Sequence, residues 1–502
     1  MRGAVRHGPA EPGVLVDTPP TARAGGVVGI LAFAGIVAAI TQTLVVPLIA
    51  ELPKILGTSS SNASWVITAT LLAAAVATPV AGRLGDMFGK RRMLIASLIP
   101  LVAGSVVCAL SSSVVPMIAG RGLQGLGMGV VPLGISLLRD VVPAEKLGSS
   151  IAIMSASMGV GGALGLPFAA AIAIAENSSW RVLFWVVAAL SLAVGALIWF
   201  LVPADAKSGA SQSFDVLGAV GLGIALICLL LGVSKGADWG WGSGTTLGLL
   251  AAAVVVLLVW GRWELRTKDP LVDLRVTARP QILLTNAASV LIGFSMYAQS
   301  LVVPQLFQLP GGTGYGLGQS MLAMGLWMAP SGLMMMIMSP VGAKLSAARG
   351  PKVTLAVGAL IISLGYGLAV PMIDGGSTWS LLAVTLVCNT GVGFAYGAMP
   401  ALIMGAVPQS ETASANSFNT LMRSIGSSLS AAVIGVVMAQ MTTDFGGHAL
   451  TSAGGFRAAM LIGCGVALAA AVLAVLIPVR ASARKDPLAV ATAESEVTTA
   501  KV

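Results

Sequence analysis

Charge is what this 502-residue chain most lacks: Asp, Glu, Lys and Arg together make up 9% of it, against roughly a quarter of an ordinary soluble domain. With 56% of residues hydrophobic and a mean hydropathy of +0.92, a soluble globular protein is excluded. Histidine is scarcer still, with only His7 and His448 present. Neither H-E-x-x-H nor G-x-S-x-G occurs, which removes two common hydrolytic arrangements. The P-loop pattern G-x-x-x-x-G-K-[ST] is also missing, since Gly89 and Lys90 are followed by Arg91, so there is no phosphate cradle for ATP-driven work. No enzymatic activity, cofactor or metal site is expected. The four cysteines, Cys108, Cys228, Cys388 and Cys464, all fall in apolar runs and read as small hydrophobes rather than a disulfide framework.

What the chain has in abundance is long apolar runs. Fourteen spans or approaches to the ~20 residues that cross a bilayer cover 25–50, 63–81, 93–111, 114–138, 150–175, 181–203, 215–235, 245–262, 281–309, 317–340, 353–371, 378–404, 414–440 and 456–479. They lack period-two alternation and are about twice the length of a membrane strand, which excludes a β-barrel. An all-α integral membrane protein with 14 transmembrane helices is expected, its partner the lipid bilayer. An even number of spans puts both termini on one side. That side holds 22 of the 28 Lys and Arg residues, the other only Lys54, Arg181, Lys235 and Arg457, while Arg121 and Arg423 lie within spans. By the positive-inside rule the basic side is cytoplasmic, so the net charge of +9 reflects topology and not nucleic-acid binding. A multi-pass plasma-membrane protein, functioning as a monomer, is the expectation. Residues 1–24 carry no short apolar core of a signal peptide and, like 480–502, read as unstructured cytoplasmic ends.

Polar joints at 204–215 and 262–280 divide the spans six, two and six: a bundle over 25–203, two inserted helices and their linkers over 204–280, and a second bundle over 281–479. The halves echo each other. GRLGDMFGKRR (82–92) comes after span 2, and GAKLSAARGPK (342–352) after the second span of the second six; Leu84 aligns with Leu345, Gly89 with Gly350 and Arg91 with Lys352, although Ala347 replaces Asp86. Two related six-helix halves around a central cleft are the architecture of a secondary transporter.

In these features the chain resembles the major facilitator superfamily. GRLGDMFGKRR is similar to the signature G-x-L-x-D-x-x-G-[RK]-[RK], and RGLQGLGMG (121–129) to the fourth-helix pattern R-x-x-Q-G. SASMGVGGALGLPFAAA (155–171) is similar to the fifth-helix antiporter motif, and SWRVLFW (179–185) to the segment after that motif. With two inserted helices, these resemble the fourteen-helix drug:proton antiporter branch. The resemblance implies the major facilitator fold and alternating-access efflux of small amphipathic organic compounds with protons as the coupling ion. The chain departs from the pattern where Leu166 precedes Pro167, and where ITQT places Thr41 at the position of a usual mid-helix acid. Uptake or uncoupled transport of a metabolite, and a sensor that binds without translocating, remain open readings.

In GRLGDMFGKRR, glycine serves a tight turn and the bases anchor it at the interface. The resemblance implies that Asp86, with Gly82, Gly89, Lys90 and Arg91, latches the two halves shut. Arg139 and the N-terminus of span 13, behind QSETASAN (409–416), are the partners expected for Asp86, because a helix N-terminus favours an anion. Within spans, Arg121 and Arg423 each cost about 2.5–3.5 kcal/mol to insert, which points to a cavity or to partners. Polar stripes place Gln42, Arg121, Gln124, Asn286, Tyr297, Asn389, Tyr396 and Arg423 as candidate cavity residues; helix-to-helix bonding is the competing account for the asparagines. Glu51 is the acid nearest to the missing one and a candidate for proton coupling. A cleft with buried guanidinium and no buried carboxylate favours neutral or anionic cargo.

Overall fold

The computed structural model describes residues 21–45, 52–174, 179–204, 213–446 and 448–478. Glu51, most of the 204–215 linker and the chain ends lie outside the described residues, except that residues 21–24, expected to be unstructured, are already helical. Among the described residues, fourteen helices are long and apolar enough to cross a membrane. They are α1 (Thr21–Thr43), α2 (Ser60–Phe88), α3 (Lys90–Leu110), α4 (Val114–Val141), α5 (Ala144–Ile174), α6 (Arg181–Leu201), α7 (Val216–Trp239), α8 (Gly244–Glu264), α9 (Pro280–Gln308), α10 (Met321–Arg349), α11 (Pro351–Met372), α12 (Thr378–Met404), α13 (Thr412–Gln440) and α14 (Ala453–Leu476). The expected helical membrane fold is what forms, because only an intra-segment ladder satisfies every backbone group in hydrocarbon. A small antiparallel hairpin, β1 (Thr442–Phe445) with β2 (His448–Thr451), joins α13 to α14 and departs from a purely helical chain.

The charged island is not a loop. Helix α2 continues through it to Phe88, and the chain reverses at the single residue Gly89, whose φ of 103° and ψ of 135° end α2 and begin α3 at once. Gly350, with φ 90° and ψ 153°, does the same between α10 and α11. A side chain at such φ is strained, so the two aligned glycines have a common physical cause. Helix α4 is interrupted by a 3-10 turn at Gly127–Gly129.

One buried cluster fills the first bundle, including Leu31, Leu94, Leu133 and Phe184; another fills the second, including Ile292, Phe307, Tyr366 and Phe456. The inserted pair contributes a third. Leu222, Leu226 and Leu230 of α7 and Trp260 of α8 pack with Ala75 of α2 and Leu421 of α13, so these helices lean on the line where the bundles meet. The outer flank of α8 leaves Val254, Val255, Leu258 and Val259 exposed, as lipid-facing residues should be.

The small-residue ridge of α5 divides its contacts. Gly161 lies against Ile36 and Ala39, and Gly165 against Ile40 and Thr43, all in α1 of the same bundle. The contact with the other bundle uses the neighbouring face, where Gly159 meets Met335 and Gly332 meets Gly159 and Ala163. Residues four apart share one helix face, and the Gly161–Gly165 face turns toward α1 of its own bundle rather than toward the other half.

Candidate functional site

At the basic face the two bundles are tied by side chains meeting backbone. Asp86, at the end of α2, accepts the N–H groups of Ala413 (3.1 Å) and Ser414 (2.7 Å), the first turn of α13. A carboxylate here satisfies donors that have no partner within their own helix and faces the positive end of its dipole. Gly82, one turn earlier, makes room for the approach: a Cβ there would stand 2.7 Å from the Ala413 carbonyl oxygen. Arg139 lies at the same seam but does not meet Asp86; it donates to the Val407 carbonyl (3.2 Å) and the Thr412 hydroxyl (2.8 Å). Ser136 donates to the Thr412 carbonyl (3.2 Å) and accepts from Asn416 (3.3 Å).

The bases of the island are also engaged. Lys90 is buried and pairs with Asp140 of α4 at 2.7 Å, and the other oxygen of Asp140 accepts from Gln409 at 2.8 Å. This chain of bonds runs from α3 through α4 to the segment before α13, so the charge of Lys90 reaches the opposite bundle. Arg91 donates to the carbonyls of Ile198 and Trp199 and stacks over the Trp199 ring. Sequence reasoning misses Asp140 and Gln409 as a pair. They stand 269 residues apart, and no local pattern marks such a meeting.

At membrane depth the two arginines differ. Arg121 is 1% exposed, with Nε donating to the Val66 carbonyl (3.2 Å) and Nη1 to the Thr41 carbonyl (2.9 Å) and Gln124 Oε1 (2.7 Å). Gln124 is fully buried and passes the network to Ser105 at 2.8 Å. Arg121 therefore pins α1, α2, α3 and α4 together, and a cargo contact from it would require these bonds to break. Thr41, at the place of the usual acid, is buried with its hydroxyl on the Val37 carbonyl (2.7 Å). Gln42 beside it is exposed, its Nε2 3.3 Å from the Met128 sulfur.

Arg423 of α13 is 8% exposed, and its guanidinium lies 4.4 Å from the centroid of the Tyr396 ring. Among the described residues it has no ion pair and no side-chain hydrogen bond. Such a stack leaves the edge of the guanidinium plane free to donate. The Tyr396 hydroxyl donates to the Met296 sulfur (3.1 Å), and its carbonyl accepts from Ser155 of α5 (3.1 Å), which places this pair at the junction of the bundles. Tyr297 and Asn389 are half-buried; Asn389 donates to the Thr385 carbonyl at 2.9 Å. Asn286 is drawn away from this group. Its Oδ1 accepts from Asn419 at 2.8 Å, and Asn419 also donates to Ser289 at 2.7 Å, so these amides bond α9 to α13.

A sequence profile described as the Major Facilitator Superfamily matches residues 31–431. Over 459 residues the chain is 29% identical to an uncharacterized MFS-type transporter of Mycobacterium tuberculosis, a match covering 89% of this chain and spanning 65% of that protein's length. Over 392 residues it is 29% identical to the tetracenomycin C resistance and export protein of Streptomyces glaucescens, covering 77% and 70% of the two chains. Among solved structures it is similar in fold to the human organic anion transporter MFSD10, at a TM-score of 0.63 and 16% identity, covering 91% of this chain and all of that one.

Proposed function

This chain belongs to the Major Facilitator Superfamily, and from that premise we propose that it exports amphipathic organic compounds, neutral or anionic, by alternating access in exchange for protons. The basic face is cytoplasmic and the plasma membrane is the site of action in this reading; the Lys and Arg asymmetry supports the orientation. Export is supported by the relatives named for resistance and export.

The observation that carries the choice of cargo is Arg423. A guanidinium at this depth, stacked on Tyr396 at 4.4 Å and free of any acid among the described residues, offers hydrogen-bond donors and positive charge to a ligand between the bundles. A lipophilic cation would meet repulsion there, whereas a planar carboxylate or phenolate would gain a charge-assisted hydrogen bond. Everted vesicles under an imposed pH gradient test this with two probes, a cationic dye and a carboxylated polycyclic fluorophore. Preferential accumulation of the carboxylate, lost in Arg423→Gln and partly kept in Arg423→Lys, is the expected result. A clear preference for the dye would end the cargo assignment, and saturable binding without flux would end the assignment of transport.

A further inference from the structure

At the basic face the inserted helix pair ends in two acids that meet over a glycine. Asp215 precedes α7 and caps it, accepting the Gly218 N–H at 2.8 Å, and Glu264 is the last residue of α8. A Cβ on Gly218 would stand 2.4 Å from Asp215 Oδ2 and 2.6 Å from Glu264 Oε1, so these two oxygens lie within about 5 Å of each other. Their surroundings differ. Asp215 is half-buried and also accepts the Trp263 indole N–H at 3.0 Å, so it has the donors that suit a carboxylate. Glu264 is 2% exposed. Its Oε2 accepts one long bond, from the Val272 N–H at 3.4 Å, while its Oε1 is buried with no hydrogen-bond partner among the described residues.

No neighbouring cation pairs with Glu264 among the described residues. Arg262 on its own helix, and Arg266 and Lys268 in the linker, are exposed. On α2, Asp86 is engaged by α13, and the Arg83 charge bears on Asp86 and Asp269. Asp269 accepts from Ser213, and Asp273 caps the one-turn helix Leu274–Thr277. From α13 the adjoining side chains are Leu421, Phe418 and Met422; its titratable residues Glu411 and Arg423 lie at its start and beside Tyr396. Two ionised carboxylates facing each other without a cation between them repel. What balances this pair is a single proton, held by Glu264 Oε1 and donated toward Asp215 Oδ2.

The proton matters because of what Glu264 holds. Residues 265–273 return from α8 across the seam between the bundles, and Leu271 and Val272 are buried in the cluster that joins α7 and α8 to Ala75 of α2 and Leu421 of α13. The Leu271 carbonyl accepts the Ser414 hydroxyl at 3.3 Å, while the N–H of the same serine goes to Asp86 at 2.7 Å. One residue of α13 thus meets both the Asp86 carboxylate and this strap, and the Val272 N–H ties the strap to Glu264. We propose that Asp215 and Glu264 form a proton-binding pair that sets the strap over the closed basic face. Loss of the proton to solvent through half-buried Asp215 leaves two facing charges, drives the Glu264 carboxyl toward water and frees Val272, so the strap lifts. The closed form therefore binds one proton more than the open form, and raising the pH favours opening.

Infrared difference spectra of the full chain in detergent, taken between about pH 5 and pH 9, follow the carbonyl stretch of protonated carboxyls. No cargo is involved, so failure here is distinct from failure of the transport reading. A component that disappears as pH rises is expected; it should be missing from Glu264→Gln and lost at lower pH in Asp215→Asn, where asparagine keeps the cap and removes the facing charge. A cysteine at Val272, with the four native cysteines replaced, reports the strap. Its maleimide labelling rate, normalised to the denatured protein at each pH, should rise with pH by up to about tenfold per unit, the limit for one linked proton. Glu264→Gln, whose amide NH2 stands in for the bound proton, should keep the rate low throughout. Identical spectra in the parent and both variants, or labelling that rises with pH equally in Glu264→Gln, overturns the proposal.

Discussion

Asp86→Asn tests the seam most directly. The carboxylate accepts two backbone N–H groups, at 3.1 and 2.7 Å, from the first turn of α13. A hydrogen bond to a charged group contributes about 1.5–3 kcal/mol, and a charge beside a partly buried helix terminus up to about 2 kcal/mol more. Asparagine keeps one acceptor and loses the second bond and the charge, a net loss of about 2 kcal/mol, or roughly 30-fold in the equilibrium between closed and open. Asp86→Ala leaves both N–H groups unmet and costs about 3–5 kcal/mol, beyond a hundredfold. Ser417 is a suitable reporter. It is fully buried beneath Gly82, and its hydroxyl has no partner among the described residues, so replacement by cysteine sacrifices no hydrogen bond seen there. With Cys108, Cys228, Cys388 and Cys464 replaced, an impermeant maleimide applied from the basic side reads the open population as a labelling rate. The rate should rise in Asp86→Asn and further in Asp86→Ala. Equal rates in all three proteins, with full labelling after denaturation, would refute the assignment of Asp86 as a latch.

Arg121→Gln removes the guanidinium hydrogen bonds to the Val66 and Thr41 carbonyls and should lower stability by about 3 kcal/mol, read as a fall in the unfolding midpoint in detergent; Arg121→Lys should lie between the two. Gly426 of α13 lies against the Val290 carbonyl of α9, so Gly426→Ala should force these helices apart and destabilise by about 1–3 kcal/mol. Gly435, on the same helix with nothing within 4 Å of an added Cβ, should tolerate alanine or gain up to about 1 kcal/mol from it. Gly89→Ala and Gly350→Ala should each cost about 1–2 kcal/mol at their positive φ, and the same thermal measurement would show whether the two turns are equivalent.

Hydropathy alone determined the number of crossing helices, since a ~30 Å apolar slab imposes length and composition locally on each segment. The turns at Gly89 and Gly350 were also legible, because a positive φ is a demand on one residue. So was the encounter of Asp86 with the start of α13: an acid in a helix-end motif and a hydroxyl-rich N-terminus have complementary chemistry wherever they lie in the chain. Tertiary structure alone decided which partners the buried charges took. Arg121 and Arg423 look alike as isolated bases within apolar spans, yet one is bound by carbonyls of neighbouring helices and the other stacks on Tyr396 with no side-chain hydrogen bond among the described residues. The pairing of Lys90 with Asp140, the turning of the Gly161–Gly165 face toward α1, and the leaning of α7 and α8 on the junction between bundles were equally hidden. Each depends on how helices distant in sequence rotate and cross, and a helix's own periodicity specifies which residues share a face without specifying which neighbour that face will meet.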